Sequence, residues 1–172
     1  MKALSLWEPW ATLMREQFKC IETRGWYTSH RGPLLICASK KRDDGGRFLW
    51  EVEQEDGCIP EMFGPFDKLP FGHALCVVNL VACVKTEWLL TSHEDKASRL
   101  RTDYFGGSKP EERYGNYSDG RFAWITEFVR RFDPPFPLRG AQGLFEVDDA
   151  LIRGDVTAPA PPVVGPAQGR LL

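Results

Sequence analysis

Apolar positions in this chain come in short runs broken by proline, glycine and charge, and few of them repeat at helical spacing. Ala3 to Leu6 reads as a short strand, followed by a helix that begins near Pro9, with Trp10, Leu13 and Met14 on one face, and ends near Gln17 or Phe18. Lys19 to Tyr27 alternates as a strand does, a turn follows at His30-Arg31-Gly32-Pro33, and Leu34 to Ala38 is apolar enough for a buried strand. Ser39 to Gly46 is polar and turn-forming, and Arg47 to Asp56 suits a helix through Phe48, Leu49, Trp50 and Val52. Ala74 to Val84, the longest apolar run, predicts a central strand, and Thr86 to Leu100 reads as partly helical. Arg101 to Asp119 reads as a long loop, a length that in compact domains often carries function. Arg121 to Arg131 alternates cleanly as a strand, Asp133 to Pro137 is an extended connection, and Gly143 to Val147 is a last short strand. Several strands with few helices, and no glycine-rich strand-to-helix turn, predict an α+β chain built on a small β-barrel decorated by helices.

A length of 172 residues favours one domain, placed at residues 1–155, with a proline-rich tail at 156–172 that lacks the apolar content to pack. Hydrophobic residues at 42% and charged residues at 27% exclude a disordered or fibrous chain. A net charge of -2 argues against coating duplex DNA by bulk charge, but leaves room for a local basic cleft. Residues 19 to 47 carry seven Lys or Arg against three acids, whereas Glu51 to Asp67 holds six acids and no base and reads as a solvated surface. No apolar run nears the roughly 20 residues that span a bilayer, and Met1-Lys2-Ala3 opens no signal-peptide pattern, so the expected setting is cytoplasmic, with no membrane partner. Five cysteines, odd in number and without Cys-x-x-Cys spacing, read as reduced, buried small hydrophobes; three scattered histidines give no metal site, and no cofactor is expected.

The densest polar group is Lys19-Cys20-Ile21-Glu22-Thr23-Arg24-Gly25-Trp26. On a strand, Glu22, Arg24 and Trp26 share a face, and Lys19 at the entrance bends toward Glu22. Carboxylate, guanidinium, ammonium and indole together offer acceptor, donors and a stacking plate, a set suited to a nucleobase. The plain alternative is a surface ion pair with no further meaning. Ser39, Lys40 and Lys41, with Arg42, leave the buried strand as a cationic patch able to hold phosphate, or as a hydrated turn. Of six tryptophans, Trp7, Trp10 and Trp26 are the stacking candidates; Trp50, Trp88 and Trp124 read as core or helix-face residues.

These residues resemble the ASCH (ASC-1 homology) domain family, which shares the PUA-like barrel. Its hallmark, Gly-x-Lys-x-x-Glu-x-Arg, stands here as Gln17-Phe18-Lys19-Cys20-Ile21-Glu22-Thr23-Arg24. Leu4 to Ala11, Arg31 to Ile36, Ala38 to Lys41, Leu69 to Gly72, Gly120 to Trp124 and Pro137 to Leu144 extend the likeness in order over residues 3 to 150. The chain departs from the pattern at Gln17, which replaces the hallmark glycine, and at Glu8, which replaces a usual glutamine and adds an acid near the expected cleft. The resemblance implies a PUA-like barrel of five or six strands with a cleft lined by Lys19, Glu22 and Arg24.

Family members are generally proposed to bind RNA or modified nucleotides. The leading expectation is therefore a module for single-stranded RNA or a modified nucleoside or nucleotide. Arg31, Lys40 and Lys41 would hold phosphate, and Glu22 and Arg24 would bond the edge of a base stacked on tryptophan. The alternative is a hydrolase on the same cleft, an amidohydrolase of acylated cytidine or a ribonuclease, with Lys19 and Glu22 as catalytic groups. Small members that resemble amidohydrolases use a lysine, a threonine and a glutamate; Lys19 aligns with that lysine, but Glu22 occupies the threonine's place. A third class, an interaction protein working through the 101–119 loop or the tail, has no positive signal, and protein partners are not legible.

Overall fold

A computed structural model describes residues 1–90 and 111–152. Residues 91–100 of the predicted Thr86–Leu100 helix, residues 101–110 of the long loop, and the tail with its boundary at 155 lie outside the described residues.

Six strands form one sheet: β1 (Lys2–Leu6), β2 (Ile21–Arg24), β3 (Gly32–Ala38), β4 (His73–Lys85), β5 (Phe122–Pro137) and β6 (Leu144–Glu146), in the spatial order β2-β5-β4-β3-β1-β6. Only β1 and β3 run parallel. The helices are α1 (Trp10–Arg15), α2 (Asp44–Glu55) and α3 (Thr86–Leu90), and short 3₁₀ turns lie at Glu61–Phe63, Phe66–Lys68, Glu111–Tyr114 and Asp149–Leu151. This is the α+β, PUA-like fold, a six-stranded sheet curled into a half-barrel and decorated by helices.

The wholly apolar β3 is explained by burial on both faces. Leu34, Ile36 and Ala38 point into the barrel with Leu4, Leu6, Val78, Leu80 and Trp124. Leu35 and Cys37 point outward into a second cluster with Ala3, Val77 and Phe132. Helix α2 begins three residues before the predicted start because the Asp43 carboxylate caps it, accepting from the Gly46 N–H at 2.9 Å. Gly46 lets α2 lie against the chain before α1, since a Cβ there would come within 2.4 Å of the Glu8 carbonyl oxygen.

Two strand limits differ from the pattern. β5 continues through the prolines to Pro137 rather than stopping at Arg131. Proline has no N–H for the ladder, but pairing passes from Cys76↔Arg131 to Ala74↔Phe136, and this shift in register takes up Pro134 and Pro135. β2 is only four residues long, not the predicted Lys19 to Tyr27. The chain bends at Gly25, and Trp26 turns to pack edge-on against Trp124, with ring centroids 4.6 Å apart.

Helix α1 is shorter than predicted and closes in a Schellman turn. The Phe18 N–H bonds the Leu13 carbonyl at 2.9 Å and the Gln17 N–H bonds that of Met14 at 3.3 Å. The residue between cap and closure is Gln17, at φ 64°, in the left-handed region where glycine is favoured. Exposed and free of other duties, Gln17 meets the turn's demand at a backbone cost of about 1 kcal/mol. Gln17→Gly is expected to raise stability by about 0.5 kcal/mol, the relief exceeding the added freedom of the unfolded chain. Urea unfolding measures this, and a loss of stability would contradict the assignment of strain to this turn.

Candidate functional site

Register places the hallmark residues. Glu22 lies opposite Trp124 and Arg24 opposite Phe122, so both share the barrel-facing side of the sheet with those rings. Ile21 and Thr23 take the other side, opposite Ile125 and Ala123. β2 is one edge of the sheet, and the gap between it and β1 is the open side of the barrel. There β6 pairs only with Lys2 to Leu4, leaving the Ser5 carbonyl beyond its end. Arg24 spans the gap and donates from Nη2 to that carbonyl at 3.2 Å.

Glu22 stands between two cations. Its Oε1 lies 3.2 Å from Arg24 Nε and its Oε2 lies 3.3 Å from Lys19 Nζ. Lys19 is 1% exposed, and its ammonium also donates to the carbonyls of Ile21 and, at 2.8 Å, Tyr114. Three acceptors meet its three donors, the condition under which a lysine can be fully enclosed. Lys19 thus lies behind the cleft wall rather than on it.

The cleft itself has a volume of about 580 Å³ and is lined by Ser5, Leu6, Trp7, Trp10, Glu22, Thr23 and Arg24, with Arg121 tied to Thr23 beside them, and by Arg113 to Asn116. The second wall comes from the end of the predicted long loop. Tyr114 is fixed at both ends: Lys19 holds its carbonyl, and its hydroxyl donates to Glu53 Oε2 at 2.8 Å. The Asn116 N–H bonds Thr23 Oγ1 at 2.9 Å. Glu53, expected on a solvated acidic face, is instead fully buried and also holds Arg113 at 2.7 Å. The position of Tyr114, 61 residues away in sequence, turns that part of α2 inward.

Of the predicted contact residues, Trp7, Trp10, Glu22 and Arg24 line this cleft, and Trp7 is 42% exposed. Lys41 reaches its rim, with Nζ 4.3 Å from the Trp7 ring centroid. The others are placed elsewhere. Trp26 leans on Trp124, Arg31 donates to the carbonyls of Thr28 and His30, Ser39 Oγ accepts from the Lys41 N–H, and the Lys40 stem packs over Gly72. Trp50 and Trp124 are core, and Trp88 is exposed on α3. The pattern missed Arg113, Tyr114, Asn116 and Arg121; the length of the loop and the Gly120-Arg121 step were the only signals, and neither marks a wall.

Three of the five cysteines are buried, and burial pushes the Cys37 thiol up to about 12, far from a nucleophile's range. Among the described residues no cluster of His, Cys, Asp and Glu is arranged to hold a metal, and no helix is long and apolar enough to cross a membrane.

The sequence profile of the ASCH domain matches residues 4–136. The chain belongs to the ASCH domain family. It is 26% identical over 156 residues to Activating signal cointegrator 1 of mouse and of human, an alignment covering 88% of this chain and 23% of each relative. The chain therefore spans about a quarter of the length of the curated relatives it matches. In structure it is similar to the ASCH protein of Zymomonas mobilis, with a TM-score of 0.50 at 13% identity over 90% of this chain and 95% of that one, a likeness of fold.

Glu8, expected to add charge near the cleft, is fully buried and turned away from it. Its carboxylate accepts from the Thr12 N–H and hydroxyl, both at 3.0 Å. Burial pushes its pKa up to about 7, against the opposing pull of the Thr12 bonds and Arg15. The folded protein thus holds this proton more tightly than the unfolded chain, so stability falls as pH rises from about 4.5 to about 7 and then levels, a loss of about 3 kcal/mol. Glutamine offers Thr12 an oxygen for its N–H and an amide for its hydroxyl at any pH. Glu8→Gln is expected to be the more stable protein at pH 8, by up to about 3 kcal/mol, and to lose this advantage by pH 4.5. Thermal unfolding across that range decides it; parallel profiles for the two proteins would refute the assignment. Lys19→Met removes the cation between Glu22 and two carbonyls and should cost about 3–5 kcal/mol, which makes it a stability variant rather than a clean probe of activity.

Proposed function

We propose that the cleft binds one unpaired nucleotide, presented by single-stranded RNA or as a modified nucleoside or nucleotide. The observation that carries this reading is the Glu22–Arg24 pair, an acceptor beside a donor fork, in the same cleft as the exposed Trp7 ring. Acceptor and donors match the edge of a base, and indole matches its face. A cavity of about 580 Å³ suits one splayed nucleotide. Lys41 at the rim is the natural contact for an adjoining phosphate. ASCH family membership supports an RNA-associated role.

The hydrolase alternative needs a group free to exchange protons with water. Lys19 has its donors committed, so it acts on the cleft only through Glu22, and Glu22 is the remaining general-base candidate. This favours binding over turnover.

The test is a fluorescence titration of a short single-stranded RNA at low salt. Trp7→Ala is expected to weaken binding by about 1–3 kcal/mol through lost stacking, and Arg24→Gln by about 1.5–3 kcal/mol. Both must keep the native unfolding midpoint within a few degrees to count. The salt slope should be shallow, about -0.7 per phosphate contacted. Absence of affinity for any RNA or modified nucleoside would sink the proposal, and hydrolysis of acylated cytidine lost in Glu22→Gln would replace it with the enzyme reading.

A further inference from the structure

The cleft's charges do not balance. Four cations, Lys19, Arg24, Arg113 and Arg121, stand on or behind its walls. Three carboxylates answer them: Glu22 is shared by Lys19 and Arg24, while Glu53 and Asp56 lie 2.7 and 3.6 Å from Arg113. The surplus falls on Arg121. Its Nη2 donates to the Thr23 carbonyl at 3.2 Å, its Nε is enclosed with no hydrogen-bond acceptor, and no carboxylate among the described residues pairs with it.

The backbone of Arg121 is held in place at the cleft. Arg121 leads into β5 beside Thr23 of β2, and its own carbonyl accepts from the Thr86 N–H at 3.0 Å. Half-buried, it lines the cleft, where its charge is unanswered and an arriving anion can pair with it. A neutral nucleoside would leave that charge unanswered.

We infer that Arg121 is the anchor for a phosphate carried by the bound nucleoside, so that the site takes nucleoside phosphates in preference to nucleosides. This rests on the nucleotide-binding reading and adds the substrate class to it. Glu22 and Arg24 take the base, and Arg121, beside them at the Thr23 carbonyl, takes the phosphate. A phosphomonoester, close to doubly charged at neutral pH, is the strongest match to a guanidinium fork. A free mononucleotide and a 5′-phosphorylated strand end share this chemistry.

Calorimetry on the full chain at low salt, with cytidine, cytidine 5′-monophosphate, and one RNA oligonucleotide bearing either a 5′-phosphate or a 5′-hydroxyl, provides the test. The monophosphate is expected to bind about tenfold tighter than the nucleoside, and Arg121→Gln to narrow that ratio to below about threefold. An advantage of the 5′-phosphate strand over its 5′-hydroxyl twin assigns the site to strand ends; equal binding of the two strands assigns it to free nucleotides. Should the variant fail to fold, the wild-type ratio and the shift of the nucleotide's ³¹P resonance on binding still decide. Equal affinity for cytidine and its monophosphate, or a ratio untouched by Arg121→Gln, overturns the phosphate anchor while leaving the base-binding cleft standing. No binding of any of the four ligands overturns both.

Discussion

Glu22 held between a buried ammonium and a half-exposed guanidinium is the interaction on which the cleft depends. Lys19 can be enclosed only because Glu22 and two backbone carbonyls surround it. Those carbonyls belong to β2 and to the loop at Tyr114, so satisfying one buried charge fixes both walls at a set distance. Arg24 uses the other side of the same carboxylate and reaches across to β1. A chain of four charged or polar contacts thereby bridges the open side of the barrel without closing it. Because opposite charges are already opposed there, the hallmark trio makes a specific surface rather than a generally attractive one; the excess positive charge comes from Arg121, tied to the Thr23 carbonyl between Glu22 and Arg24.

The barrel's geometry explains why a ligand would enter here. All six strands are joined edge to edge in one sheet, with hydrophobic side chains packed on both of its faces. At the free edge of β2 the ladder stops, and polar side chains take over the backbone groups that another strand would have satisfied. Helix α2 supports this arrangement from behind. Its buried Glu53 grips Tyr114 and Arg113 together, and Trp50 seats the helix by donating from its indole to the Gly64 carbonyl at 3.0 Å.

Much of this is legible in the sequence. The apolar stretches at Leu34 to Ala38 and Ala74 to Val84 are central strands because both faces are covered, and an unbroken hydrophobic run states that directly. Glu22 and Arg24 fall on one face because strand periodicity leaves no choice. Trp26 did not follow them, since periodicity lapses once the chain bends at Gly25. Glu53 differs from the solvated acidic face for a related reason: Glu51 and Glu55 are exposed, whereas Glu53 turns inward with Trp50 to meet Tyr114, far off in sequence. Glu8 likewise sits beside exposed Trp7 in sequence, yet its carboxylate folds back onto Thr12 under the cover of α2.

The sequence by itself determined the family, the strand content and the trio Lys19, Glu22 and Arg24, because alternation and ordered motifs are properties of the chain taken locally. Tertiary structure alone decided that Lys19 is sealed behind the wall, that Arg31 and Lys40 are spent on the surface, and that Arg113, Tyr114 and Arg121 complete the cleft. Those outcomes depend on which charges and carbonyls meet across long stretches of chain. Burial energy and pairing, unlike periodicity, exist only between segments that folding has brought together.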